Sequence, residues 1–245
     1  MAVSWPELSG LLEEQLQLQR QPVALAFAEA QPADIPRLDA TMPSGCSMWR
    51  RAETEVFFAA AEDHFNCPLG SMVMGFQLPA EQLDKVQEEV GMMCGINYVR
   101  EAEVEHVPQV PRSFAGIVYG PLWRFPLEPH IVLLWLTPGQ AMKMSECCGL
   151  TNWAAPPSGI LGRPGCGSIP IALTEGKPSL SFGCVGMRIN TGTAEDLMLM
   201  AVPRNLLDNM NADLTNMGQV HQQMEQHYKE RITSLGLSAP EDAWG

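Results

Sequence analysis

The chain carries one ordered series of features twice, and any fold must accommodate both copies. Cys46 and Cys67 stand 21 residues apart, and Cys166 and Cys184 stand 18 apart. The first stretch reads GCSMWRRAETEVFFAAAEDHFNCPLGSMVMGF from Gly45 to Phe76, and the second reads GCGSIPIALTEGKPSLSFGCVGMRINTG from Gly165 to Gly192. Each runs Gly-Cys, a short helix-like stretch, an apolar strand, a second Cys and a Gly-containing segment. The pattern predicts an internal duplication: two similar halves that bring four thiols together.

The flanking segments follow the same grammar. Leu8, Leu11, Leu12, Leu16 and Leu18 set among Glu and Gln give a first helix with one apolar face, ended before Pro22. VALAF (23–27) is a short apolar run bounded by turn residues, as a buried strand is, and IVLLWL (131–136) is its counterpart. VFFAAA (56–61) and LSFG (180–183) are the next pair of strands. LPAEQLDKVQEEVG (78–91) is a helix with Gly91 as its stop, and TPGQAMKMSECCG (137–149) is a helix with Pro138 at its first position. DLMLMAVPRNLLDNM (196–210) reads as a strand followed by a Pro-initiated helix, and residues 215–235 as a polar helix. AAPPSGILGRPG (154–165) is a long Pro/Gly loop of the kind that often carries function. The expected division is an N-terminal helix (1–21), a first half-repeat (22–111), a second (112–214) and a C-terminal helix and tail (215–245). The expected class is α/β, with mixed α+β as the variant.

Composition narrows the function classes. Hydrophobic residues are 46% and charged residues 18%, which excludes extended disorder, and 20 Pro with 21 Gly imply short elements joined by turns. A formal net charge of -13, with no basic cluster longer than Arg50-Arg51, repels phosphate backbones, so no nucleic-acid partner is expected. MAVSWPELSG has neither a basic region nor an apolar run, and the longest apolar stretch is far too short for a bilayer. A cytoplasmic protein without membrane contact is therefore expected. Seven cysteines, an odd number, fit reduced thiols better than a disulfide framework.

Taken together, VALAF, the Cys46 segment, NCPLGSMVMGF, LEPHIVLLWLTPGQAMKM, Gly165-Cys166 and KPSLSFGCVGMRINTGTAEDLMLMAVP resemble the domain-of-unknown-function 169 family of prokaryotic soluble proteins. The resemblance runs from about Pro22 to Met210. It is most specific at Cys67, Pro68 and Gly70, combined with the later Gly-Lys-Pro-Ser and Gly-Cys run. It implies membership and extent, and it brings no activity with it. Cys94, the vicinal Cys147-Cys148 and the 15 methionines look particular to this chain.

The four repeated cysteines, Cys46, Cys67, Cys166 and Cys184, are the candidate metal ligands. A thiol in a Gly-Cys turn at a helix start meets backbone N–H groups and the positive dipole end, which favour thiolate. Gly45, Pro68, Gly70 and Gly165 are the candidate cofactor-contacting residues: glycine admits a bulky group close to the backbone, and Pro removes a competing N–H. Arg188 is a candidate for holding an anionic group. Four thiolates can hold zinc, which keeps sulfurs roughly 4 Å apart, or an iron-sulfur cluster, which spreads them to about 6 to 7 Å. Against this stand the lack of any Cys-x-x-Cys and the tendency of free cysteine to be buried for packing alone.

The leading expectation is a cofactor-binding redox protein with a cysteine-ligated centre, most readily iron-sulfur, between two repeats. It would act with a small-molecule ligand or a redox partner and could form a homo-oligomer. A haem or small-molecule sensor is the first alternative, with Cys67 as axial thiolate and Met72, Met74 or His130 opposite. The Met-rich stretches would also suit copper, although methionine at these spacings usually fills cores. A metal-free thiol enzyme is the remaining alternative, with Cys67 as nucleophile and His64, next to Glu62 and Asp63, as base.

Overall fold

The computed structural model describes residues 4–149, 160–161 and 164–238. It is a mixed α/β protein built on one sheet. The elements of the first half are α1 (Trp5–Leu16), β1 (Val23–Ala28), α2 (Gly45–Arg51), β2 (Phe57–Ala60), α3 (Pro68–Val73), α4 (Ala80–Gly95), α5 (Glu101–Val104) and β3 (Gly116–Pro121). Those of the second are β4 (Ile131–Leu136), α6 (Pro138–Cys147), β5 (Ile160–Leu161), α7 (Ser168–Glu175), β6 (Ser179–Ser181), α8 (Val185–Thr191), β7 (Met198–Pro203) and α9 (Met210–Ser234). Among the described residues, no helix is long and apolar enough to cross a membrane.

The central strands are apolar at every position, not at alternate ones, because helices cover both faces of the sheet. Leu25, Ile117, Leu133, Trp135 and Leu199 point to one face, where they meet Cys46, Trp49, Val73, Ile169 and Met187. Ala24, Val118, Val132, Leu134 and Met200 point to the other, where they meet Leu8 and Leu12 of α1, Met144 of α6 and Leu214 of α9. The result is three layers, with α2, α3, α7 and α8 on one side and α1, α6 and α9 on the other.

The strand order is β2-β3-β1-β4-β7-β6-β5. β1 and β4 pair antiparallel at the centre, and the hydrogen-bonding pattern on one side of that pair recurs on the other. Val23 faces Pro121 as Ile131 faces Pro203. Leu122 N–H donates to the Pro22 carbonyl at 2.9 Å as Arg204 N–H donates to that of His130 at 3.0 Å. Each of those prolines is followed by one turn of 3-10 helix, Leu122–Arg124 and Arg204–Leu206. At the margins Phe58 makes a parallel bridge with Arg37, and Leu180 pairs parallel with Ile160.

Several boundaries differ from the sequence reading. α4 runs through Gly91 to Gly95, because Met92, Met93 and Cys94 continue as good helix residues and Gly91 is not in a left-handed conformation. Pro203 opens a single 3-10 turn, and the long helix starts seven residues later at Met210. β3, which a division at residue 111 would assign to the second half, lies between β1 and β2. Most of the Pro/Gly loop at 154–165 falls outside the described residues.

Candidate functional site: a pocket of four thiols

All four repeated cysteines sit at helix starts on the same side of the sheet. Cys46 is in the first turn of α2, which Ser44 caps by accepting from the Ser47 N–H at 3.2 Å. Cys166 is in the 3-10 turn Gly165–Gly167 that runs straight into α7. Cys67 and Cys184 are the N-cap residues of α3 and α8. Pro68 fills the first position of α3, where no N–H is needed.

The thiols meet. Burial pushes the Cys46 thiol well above the ordinary range, and its neighbours Cys166, Cys67 and Cys184 push it further. Cys166 is raised in the same way, by burial first and then by Cys67 and Cys184. Burial also raises Cys67, partly offset by the favourable effect of the Gly45 and Gly70 backbone N–H groups. The Cys184 sulfur accepts from the Met187 N–H at 3.3 Å. The charge acting on Cys67 and Cys166 is the Glu89 carboxylate, which disfavours thiolate; its Oε2 also accepts from the Leu69 N–H at 3.4 Å.

Between the sulfurs lies a cavity of about 20 Å³, bounded by Cys46, Cys67, Cys166, His64, Trp49 and Tyr119 among others, with room for about one water. Cys184 is not among the residues that line it. Among the described residues, no three His, Cys, Asp or Glu side chains are placed to hold a single metal ion.

The two glycines beside these thiols are there for space. A Cβ on Gly70 would lie 2.6 Å from the Cys67 sulfur. A Cβ on Gly165 would lie 3.0 Å from the Met187 sulfur and 3.4 Å from Gly183 Cα, so this glycine seats the Cys166 turn against the Cys184 turn.

His64 and Tyr119 form the polar wall. His64 Nδ1 is 2.8 Å from the Ala60 carbonyl, which can only accept, so Nδ1 carries the proton; Nε2, 2.9 Å from the Tyr119 hydroxyl, therefore accepts from it. Burial lowers the His64 pKa to about 4. Burial raises Tyr119 well above its ordinary value, with Cys46 and Cys166 adding to the shift. Tyr119 carries no local sequence signal, since its partner is 55 residues away and reaches it only through the β2–β3 pairing.

The remaining candidates lie elsewhere or are engaged. The Arg188 guanidinium donates to the carbonyls of Ala194, Phe182 and Leu197 at 2.6, 2.7 and 3.1 Å, so it ties the α8 region together. His64 cannot serve as base for Cys67, because both ring nitrogens are held by other groups. Nor is His130 opposite Cys67: its Nδ1 accepts from the Phe27 N–H at 3.1 Å at the start of β4. Cys147 and Cys148 pack on the opposite face of the sheet, where burial raises both thiols to about 12. Cys94 lies on α4 and joins neither core cluster.

The model of a protein family described as "DUF169: Uncharacterised ArCR" matches residues 11–213. No curated protein and no solved structure matches the chain. The matched span takes in every strand and all four helix starts that carry the repeated thiols, and the chain belongs to the DUF169 family.

Proposed function

We propose that the four thiols are the ligand set of an iron-sulfur cluster and that the protein is a redox protein built around it. The observation that carries this reading is that Cys46, Cys67 and Cys166 line one pocket, with Cys184 near enough to raise the thiols of Cys46 and Cys166. The repeated strand registers support an internal duplication as the origin of that arrangement. So does the parallel pairing at both margins of the sheet.

The donor set suits a cluster. Buried thiols held neutral are poor nucleophiles, which argues against Cys67 as a catalytic thiol, whereas a bound cation deprotonates coordinating thiols outright. An N–H bond to a thiolate sulfur, such as that from Met187 to Cys184, is the kind of contact that sets a cluster's potential. A cavity of about 20 Å³ is a closed form, so loading requires an outer turn to give way. Cys67, Cys166 and Cys184 are each half-buried, whereas Cys46 is buried.

When bound, the cluster would supply one-electron chemistry. The protein would supply the thiolates, the N–H donors, and a Trp49 and Tyr119 wall that excludes water. The test is anaerobic purification and reconstitution with iron and sulfide, followed by metal and sulfide analysis. The expected result is bound iron and sulfide with broad absorbance at the blue end of the spectrum, lost in Cys46→Ser and Cys166→Ser. Protein that holds neither after reconstitution would overturn the reading.

A further inference from the structure

α9 leaves the body of the molecule partway along its length. Its first turns are anchored: Met210 and Leu214 are buried against the α1 and α6 side of the sheet, Met217 packs on them, and His221 Nε2 meets the Glu146 carboxylate at the end of α6. Beyond this the helix runs on to Ser234 without another buried residue. The family match ends at residue 213, within the anchored first turn of the helix.

The apolar stripe does not end there. Met210, Leu214 and Met217 continue as Met224, Tyr228 and Leu235 at spacings of three to seven, with His221 and Arg231 at the intervening positions and Val220 and Ile232 alongside. That is the period of a helix packing against another helix. In the outer part Val220, Met224, Tyr228 and Leu235 are 40, 44, 52 and 66% exposed, while the opposite face is Gln219, Gln222, Gln223, Gln226 and Glu230. One face of the projecting helix is therefore made to be covered.

Charge selects the occupant. The chain carries a net -13, which opposes the approach of a second copy. Residues 214–237 are the exception: Glu225 and Glu230 balance Lys229 and Arg231, so the segment is formally neutral. In an antiparallel pair centred on Tyr228, Glu225 of each copy faces Arg231 of the other, and Met224 faces Ile232. The open stripe amounts to roughly 500 Å² per copy, so a pair would bury on the order of 1,000 Å², at the threshold for a specific interface.

We infer that α9 is a self-association helix, and that two copies of this chain pair through the Val220–Leu235 stripe as an antiparallel helix pair. The inference stands on the helix alone and does not depend on the thiol pocket.

Sedimentation equilibrium of the full chain tests it. The expected mass is twice the 26.9 kDa of one chain. Met224→Glu combined with Tyr228→Glu should return it to a single chain with unchanged helix content, because both side chains are exposed. Under mild oxidation Tyr228→Cys should give a disulfide-linked dimer, and Gln222→Cys, on the polar face, should not. A single-chain mass for the unaltered protein up to about 100 μM would overturn the inference, since any specific pairing weaker than that falls below useful affinity. So would a dimer that survives the double substitution, or equal cross-linking from position 222.

Discussion

Beneath the thiol pocket the Tyr119 hydroxyl donates to His64 Nε2 across 2.9 Å, joining the middle of β3 to the turn that leads into Cys67. The His64 ring lies tilted against Phe76, with 4.6 Å between the ring centres, and its Nδ1–H donates to the Ala60 carbonyl. Every polar atom of the pair has a partner, so a buried imidazole and a buried phenol sit among apolar side chains without an unpaired group. Tyr119→Phe should leave Nε2 unsatisfied and cost about 1–3 kcal/mol in urea unfolding. A change below a few tenths of a kcal/mol would mean that the bond contributes nothing net.

The same histidine gives a pH signature in the metal-free protein. Its folded pKa of about 4 lies below the ordinary 6.5, so above pH 6.5 both folded and unfolded forms are neutral and the full stability is present. As pH falls from 6.5 towards 4 the unfolded chain takes up a proton that the folded one refuses. Stability drops, with a total loss on the order of 3 kcal/mol. Urea midpoints at pH 7 and pH 4.5 should therefore diverge less in His64→Gln than in the unaltered chain. Equal divergence would show that His64 does not titrate in this window.

Alkylation separates a metal-ligand role from a nucleophile role. In metal-free native protein at pH 8, Cys46 and Cys166 should react at least ~100-fold more slowly than in urea, because their thiols are buried and held neutral. Cys67 should also be slow, since burial raises its thiol. Mass spectrometry of time-resolved iodoacetamide labelling reads all seven sites. Rapid, selective labelling of Cys67 would revive the thiol-enzyme alternative.

Gly70→Ala probes the Cys67 ligand without touching it. A methyl group 2.6 Å from the sulfur must displace the thiol. Far-UV circular dichroism should be unchanged while iron bound after reconstitution falls several-fold. Cys94→Ser, Cys147→Ser and Cys148→Ser should load normally, being away from the pocket. Normal loading of Gly70→Ala, or loss of iron in Cys147→Ser, would reassign the ligands.

Arg20 tests the packing beside the pocket. Its guanidinium lies 4.1 Å over the Trp135 ring, donates through Nε to Glu53 at 2.9 Å and reaches the Thr193 hydroxyl at 2.7 Å. The Arg20 and Glu53 side chains are each only 8% exposed. Arg20→Met leaves the Glu53 charge in a buried setting with the more exposed Arg50 as its remaining partner, and should cost about 3–5 kcal/mol. Adding Glu53→Leu should recover part of that loss. If the single change costs less than about 1 kcal/mol, the pair is not desolvated as the structure has it.

The elements with strong local signals were legible in the sequence. VALAF and IVLLWL are the central strands because uninterrupted apolar runs can only be buried on both faces, and Thr137-Pro138 opens α6 with the Thr137 hydroxyl accepting from the Gln140 N–H. The doubled pattern picked out three cysteines, Cys46, Cys67 and Cys166, that line one pocket. What escaped was long-range or depended on competition between signals. Gly91 reads as a stop until the residues after it are seen to keep the helix going. Arg188 reads as an anion ligand because a free guanidinium and one held by three carbonyls look alike in sequence. Tyr119 reads as one more apolar-strand residue because only sheet register sets it against His64.

The antiparallel contact of β1 with β4 at the middle of the sheet has a consequence for biosynthesis. Cys46 and Cys67 emerge from the ribosome roughly a hundred residues ahead of Cys166 and Cys184 and wait several seconds for them at about 5–20 residues per second. Until IVLLWL arrives, β1 has only one of its two neighbours and the first two thiols face no partners from the second half. The complete set of four thiols therefore exists only once translation has passed Cys184, three quarters of the way along the chain.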